Sequence, residues 1–277
     1  MRIATWRRFK RRKTAIFGLS LYAVIILIAA LAPYLSPHDP NAQDIPKRLT
    51  PPSAESPLGT DEFGRCILSR VLFGGRISLY IGVISVAISA GIGTLLGLIS
   101  GFFGTKVEAV IMRIVDIMLC FPGILLALII VSTLGRDIQY VMIAVGVSGV
   151  PNYARMVRGA VLTVKENEYI EAARAAGASS FSIIGRHVLP NIFAIIIILT
   201  TLSLPGSILS AAALSFIGLG VQPPTAEWGR MLGDGRAYID TAWWISTFPG
   251  LMIFVTVISI NLFGDGLRDA LDPRLKT

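Results

Sequence analysis

The chain has 277 residues, of which 53% are apolar and only 15% charged, with a mean hydropathy of +0.69. That exceeds a soluble globular composition and points to a polytopic membrane protein. The net charge of +8 does not signal nucleic acid, because no basic, aromatic-studded soluble domain is present to bind it.

A spanning helix needs about 20 apolar residues. Six candidates meet this, predicting an all-α membrane protein with spans at Ile16 to Ala32, Leu79 to Gly101, Val107 to Thr133, Ile138 to Val157, Ile192 to Leu214 and Phe248 to Phe263. The tail Met1 to Thr14 carries seven Lys or Arg and no acid. If it is cytoplasmic, six spans place 16 of the 25 Lys and Arg inside and eight outside, the positive-inside pattern. The chain then divides into a basic tail (1–15), a first span (16–32), an external segment (33–76), a five-helix core (77–266) and a cytoplasmic tail (267–277).

In chain order, Ala30-Leu31-Ala32 mimics a signal cleavage site. The apolar run is long for a signal, and Pro33 follows directly, so an uncleaved span is expected. The segment Pro33 to Arg76 starts as a proline-rich strap. Its second half, Pro57-Leu58-Gly59-Thr60-Asp61-Glu62-Phe63-Gly64-Arg65, reads as an amphipathic surface helix along the outer membrane face when its charges are taken singly. The second span holds Gly93, Gly97 and Gly101 at four-residue spacing. Such a stripe lets another helix pack backbone to backbone, within the subunit or against a paired one.

Arg113 and Asp116 share one face of the third span by their spacing of three. Charge within a span suggests function by default, but their place near the inner end favours a structural ion pair. Pro122-Gly123 should break or kink this helix, as a hinge or a fixed bend. Cys66, Cys120, His38 and His187 show no pairing or ligand pattern.

The stretch Glu168 to Pro190, EYIEAARAAGASSFSIIGRHVLP, interrupts two apolar runs and reads as two short helices. Asn167 is expected to cap the first, with Ile170, Ala173 and Ala176 on one face. Gly177 stops it, Ser179 or Ser180 caps the second, and Pro190 closes that one before the next apolar run. The plain reading is an amphipathic interfacial loop; the sharper one is a protruding helix pair that plugs into a partner. Beyond the fifth span, Ser215 to Gly229 is too rich in proline and glycine for a continuous helix. It is expected on the outer face. Trp228, Trp243 and Trp244 fit an interfacial belt equally well. The chain contains no GxxxxGK[ST] phosphate loop, no HExxH and no catalytic-triad spacing.

Glu171-Ala172-Ala173, Gly177, Ile183 or Ile184, and Leu189-Pro190 together resemble the EAA loop of ABC importer permeases. The segments Pro57 to Arg70 and Ser215 to Gly229, with the closing Asn261 to Arg274, are similar to the peptide/nickel (DppC/OppC-like) branch. That branch often has an acid where this chain has Cys66. The resemblance implies a type I ABC importer permease (MetI-like) fold, with the EAA loop at 159–190 and an external loop at 215–247. It further implies an inner membrane location in a prokaryote, with both termini cytoplasmic.

By the same resemblance, Glu171, Ala172, Ala173, Gly177, Leu189 and Pro190 couple to the ATPase. Asp61, Glu62, Arg65, Glu227 and Trp228 belong to the external loops. The expected partners are a second homologous (DppB/OppB-like) permease, two ATP-binding subunits and an external substrate-binding protein, in a lipid bilayer and without nucleic acid. ATP and magnesium are expected on the partner ATPase subunits and no cofactor on this chain, which is expected to be non-catalytic. The cargo class is dipeptide or oligopeptide, with a nickel or metal chelate as the alternative. A secondary transporter would instead carry charged or unwound spans near mid-membrane, and a channel would need no docking loop.

Overall fold

The computed structural model describes residue 9 and residues 12–271. Most of the predicted basic tail (Arg2, Arg7, Arg8, Lys10, Arg11) and the closing Asp272-Pro273-Arg274 lie outside these residues. The regular secondary structure among the described residues is helical apart from one isolated antiparallel bridge, Thr60 to Cys66.

The principal helices are α1 (Lys13–Ala30), α2 (Ile67–Phe103), α3 (Thr105–Leu119), α4 (Gly123–Leu134), α5 (Ile138–Lys165), α6 (Glu168–Ala175), α7 (Leu189–Phe216), α8 (Trp228–Gly235) and α9 (Trp244–Leu271). At 1.5 Å per residue, α2 is about 55 Å long, against a hydrocarbon layer of about 30 Å. Its ends therefore stand clear of the apolar zone. Four helices are long and apolar enough to cross a membrane: α1, α2, α7 with its lead-in, and α9. A fifth span results if α3 and α4 are taken together. The segment predicted as the fourth span is helical, but Gln139, Pro151, Asn152 and Arg155 dilute its apolar content. It runs on past Val157 to Lys165.

The predicted third span, Val107 to Thr133, is not one rod. α3 and α4 meet at an angle of 91° across Cys120-Phe121-Pro122. Proline supplies no backbone N–H and its ring crowds the preceding turn, so the helix ends and restarts in a new direction. Gly104, at φ +64°, makes the preceding turn between α2 and α3.

The glycine stripe packs within the subunit. A Cβ on Gly93 would lie 2.3 Å from Tyr153 Cβ, on Gly97 2.7 Å from Val157 Cβ, and on Gly101 2.8 Å from Val161 Cβ. Gly146 of α5 returns the arrangement, receiving Ile88 of α2. Two hydroxyls cross the seam: Ser85 Oγ donates to Met142 O at 3.2 Å, and Ser89 Oγ to Gly146 O at 2.6 Å. Small residues and interhelical hydrogen bonds supply the attraction that apolar side chains cannot provide between helices already bathed in lipid.

α1 packs on α9 in the same manner, with Gly18 against Leu262 and the Ser259 carbonyl. Phe9 stacks edge-on against Phe263 with centroids 5.9 Å apart, and Arg12 pairs with Asp269. The start of α1 and the end of α9 thus share one end of the bundle.

Adding a side chain to the seam should be strongly unfavourable. Gly97→Leu is expected to destabilise by about 1–3 kcal/mol or more through overpacking. Gly91→Ala, on the same helix with nothing within 4 Å of its Cβ, is expected to be neutral. Thermal unfolding of the two detergent-purified variants, read by intrinsic fluorescence, checks the contrast.

Candidate functional site

The loop between α5 and α7 is built on a single apolar anchor. Ile170 is fully buried and packs with Leu98 and Phe102 of α2, Val157 and Val161 of α5, and Ile183, Val188 and Ile192. Lys165 ties the base of the loop to α2, its Nζ donating to Phe102 O at 2.7 Å. Asn167 occupies the N-cap position of α6, but its side chain faces the other way. Its Nδ2 donates to Thr163 O and Val164 O, closing the end of α5 rather than opening α6. Glu168 and Glu171 in the first turn of α6, and Arg174 in the last, complement the helix dipole.

The turn is as predicted. Gly177 takes φ +82°, and Ala178 N reaches back to Ala173 O at 3.1 Å. Ser179 Oγ accepts from Ser182 N and caps the second arm. That arm does not stop at Pro190. Ser180–Ile183 passes through a wide turn, Ile184–Val188, into α7, so Ser180–Phe216 is one continuous helix. Pro190 falls in the first turn of α7. The π-type turn ahead of it, bonded i to i+5, shifts the register so that a missing N–H can be tolerated.

The outward surface of this loop is small and mixed in charge. Glu171, Ala172, Arg174, Ala175, Ala176, Gly177 and Pro190 are exposed, while Ala173 and Leu189 are half-buried. Of the predicted face, Ile170 faces inward and Ala176 outward. Phe181 is 81% exposed at the tip of the second arm. The motif-based reading passed over it; the signal available was an aromatic side chain in a run of small residues.

The predicted Arg113–Asp116 pair is not formed. Asp116 Oδ1 instead accepts from Arg155 Nη2 of α5 at 2.7 Å, and Arg113 is exposed. Arg158, one turn further along α5, binds Glu108 of α3. These groups line a cleft of about 530 Å³ between α3 and α5, together with Arg113. The 91° bend frees α3 to lie across α5, so the acids find partners on another helix before any on their own.

The external segments depart most from expectation. No surface helix forms over Pro57 to Cys66; α2 begins only at Ile67. Asp61, Arg65 and Arg70 are at most 4% exposed. Asp61 Oδ2 takes Arg65 Nε at 2.6 Å and lies 3.5 Å from Arg70 Nε, while its Oδ1 accepts the Phe63 and Arg65 N–H groups at 2.9 Å. Arg70 also donates to Pro40 O and Pro224 O, pinning both outer loops to the top of α2. Glu62 stands 3.6 Å from Arg65.

Glu227 and Trp228 are each 1% exposed. Glu227 accepts from Gly229 N, Arg230 N and Ser78 Oγ, all at 2.9 Å, capping α8. Trp228 Nε1 donates to Val71 O at 2.9 Å, and Trp244 Nε1 to Thr60 O at 3.0 Å. Trp228 and Trp244 are therefore interior residues and not a belt, whereas Trp243 is half exposed. Four of the five predicted external-loop residues build a cap over this end of α2 from within, and Glu62 lies at its edge. Buried charges of this kind persist only when paired and hydrogen-bonded.

Comparison with known proteins places these features in context. Residues 93–277 match the family described as binding-protein-dependent transport system inner membrane component. Residues 2–52 match the N-terminal transmembrane domain of oligopeptide transport permease C. The chain is 48% identical to a di/tripeptide transport system permease protein of Pseudomonas aeruginosa, over 98% of this chain and 91% of the relative. It is 44% identical to a glutathione transport system permease protein of Pectobacterium atrosepticum, over 98% and 91%. In fold it is similar to a chain of the MetNI methionine ABC transporter solved in inward-facing conformations. That match has a TM-score of 0.61 and 21% identity, covering 74% of this chain and 98% of the other.

The outer cap carries a pH signature. Burial pushes the Glu62 carboxyl above the ordinary range; Asp61 and Asp234 add to the rise and Arg65 opposes it. A carboxyl raised on folding supports the folded state below its unfolded pKa of about 4.3. That support is lost as pH climbs through the raised value. Glu62→Gln is thus expected to match the wild type in Tm near the acid end and to exceed it at neutral pH. Melting curves of both proteins across that range check this; parallel pH profiles would contradict it.

Proposed function

The chain belongs to the family of inner-membrane components of binding-protein-dependent transport systems, a permease subunit of ABC importers, and from that premise we propose that it carries short peptides inward. The peptide reading is supported by the relatives named for di/tripeptide and glutathione transport, glutathione itself being a tripeptide. These names favour peptide cargo over a nickel chelate. In this reading the chain crosses the membrane six times, through α1, α2, the bent α3–α4 pair, α5, α7 and α9. Both termini and α6 then lie on the cytoplasmic side, in keeping with the distribution of Lys and Arg. A second homologous permease completes the pathway, two ATP-binding subunits hold ATP and magnesium, and an external binding protein delivers the cargo. This chain itself is non-catalytic.

The observation that carries the coupling assignment is the contrast between the two sides of α6. Its inner side is locked by Ile170 into the α2–α5 seam. Its outer side offers Glu171, Ala172, Ala175, Ala176 and Gly177 to whatever approaches. Small residues admit a partner's backbone closely, and Glu171 provides a charge for a basic or donor group. Because Ser180–Phe216 is continuous, a push on the second arm travels along a rigid rod into the bundle. When the ATP-binding subunits close, that push biases the permease between inward- and outward-facing arrangements. Hydrolysis resets it.

Gly177→Val tests the turn. Its Cβ would meet nothing within 4 Å, so the penalty is backbone strain of about 1–3 kcal/mol, confined to the loop. The variant is expected to reach the membrane at wild-type level, while ATPase co-purification and peptide uptake fall about tenfold, a loss of about 1.4 kcal/mol. Glu171→Lys should act in the same direction without straining the turn. Unchanged co-purification and uptake in both variants would remove the coupling assignment.

A further inference from the structure

Between α2, α4, α5 and α7 lies a cleft of about 270 Å³ whose lining includes Ser89, Asn152, Tyr153, Ser203, Ser207 and Ser210, with no charged residue. Most of its polar groups sit well inside their helices, where an unsatisfied hydroxyl or amide is unfavourable unless it faces water or a ligand. A helical serine or threonine ordinarily returns its hydroxyl to a carbonyl one turn back. Thr200 and Thr201 of α7 do so, at 2.8 and 3.0 Å. Ser207 and Ser210 of the same helix do not, and neither they nor Asn152 of α5 bond another described residue. Tyr153 is 3% exposed, and its enclosed hydroxyl faces the hydroxyls of Ser203 and Thr200. Ser89 differs, being committed to Gly146 O across the seam.

We propose that this cleft is the chain's share of the transport path and that it holds a peptide by its main chain. Hydroxyls and a carboxamide can each donate and accept, which suits the alternating N–H and C=O of a peptide. This wall carries no fixed charge to select cargo by its side-chain charge. Its volume lies just below that of small-ligand sites, about 300 Å³ and upward, as befits one wall of a larger path. The inference rests on the peptide-importer reading above.

The test uses the whole transporter in proteoliposomes, with the binding protein and labelled alanyl-alanine outside and ATP within. Ser207→Leu and Ser210→Leu fill the cleft and are expected to cut uptake about tenfold while the amount of assembled transporter in the proteoliposomes stays at the wild-type level. Wild-type uptake by both would overturn the cleft assignment and leave the importer reading standing. Absence of ATP-driven uptake by the wild-type complex would overturn both. A second measurement does not depend on a bulky substitution. In a Cys120→Ser background, the Ser207→Cys thiol is expected to react with a water-soluble methanethiosulfonate, and alanyl-alanine to slow that reaction about threefold by occupying the site. An unreactive thiol, or a reaction the peptide leaves unchanged, would overturn the proposal.

Discussion

The seam between α2 and α5 sets the positions of both ends of the molecule. Gly93, Gly97 and Gly101 bring the two backbones so close that Tyr153, Val157 and Val161 sit where side chains on α2 would otherwise be. In a bilayer there is little hydrophobic gain in pushing two apolar helices together, so dispersion at close range and the Ser85 and Ser89 hydrogen bonds must hold them. At one end the seam supplies Leu98, Phe102, Val157 and Val161, the socket for Ile170. Toward the other end, the same long α2 presents Arg70, Val71 and Ser78 to the segments around Pro40 and Trp228. The knob and the cap are two ends of one rod.

The two ends use charge in opposite ways. At the α8 end, Asp61, Arg65, Arg70 and Glu227 are enclosed and answered by partners of opposite charge, hydroxyls or backbone amides. Removing one partner from a buried pair leaves the other unsolvated, at a cost of about 3–5 kcal/mol. This end therefore behaves as a fixed lid on the bundle. At the α6 end, Glu171 and Arg174 are exposed, while Asp116–Arg155 and Glu108–Arg158 bridge α3 to α5 across an open cleft. The Asp116–Arg155 pair is exposed and holds only about 0–1 kcal/mol, whereas Glu108–Arg158 is half-buried. One end of the molecule is thus closed by buried, paired charge, and the other carries its charge nearer the surface.

Much of this was legible in the order of residues because it follows from local backbone rules. Three glycines four apart define a small face on any helix. Pro122-Gly123 must interrupt one. Gly177 after a run of alanines must turn the chain, and Ser179 ahead of a helix caps it. These outcomes depend on a few adjacent residues, and each is realised. The family resemblance was legible for a similar reason, since its motifs are contiguous. The bridge Thr60–Cys66 is local too, but it competes with a helical reading of the same charges, and only the packing of Trp244 over Thr60 resolves the contest.

What remained open depended on which helices meet. Asp116 was assigned to Arg113 by spacing, yet a bend of 91° turned it to Arg155. Trp228 and Glu227 read as surface residues until α8 folded against α2 and supplied the Val71 carbonyl and the Ser78 hydroxyl. Pro190 read as a stop until the turn before it widened. Ser207, Asn152 and Tyr153 are 55 residues or less apart in the chain but share no motif; only the crossing of α5 and α7 gathers them around one cleft. A residue's own backbone preference is written in its neighbours, whereas its burial and its partner belong to contacts made across the bundle, and these exist only once the helices are assembled.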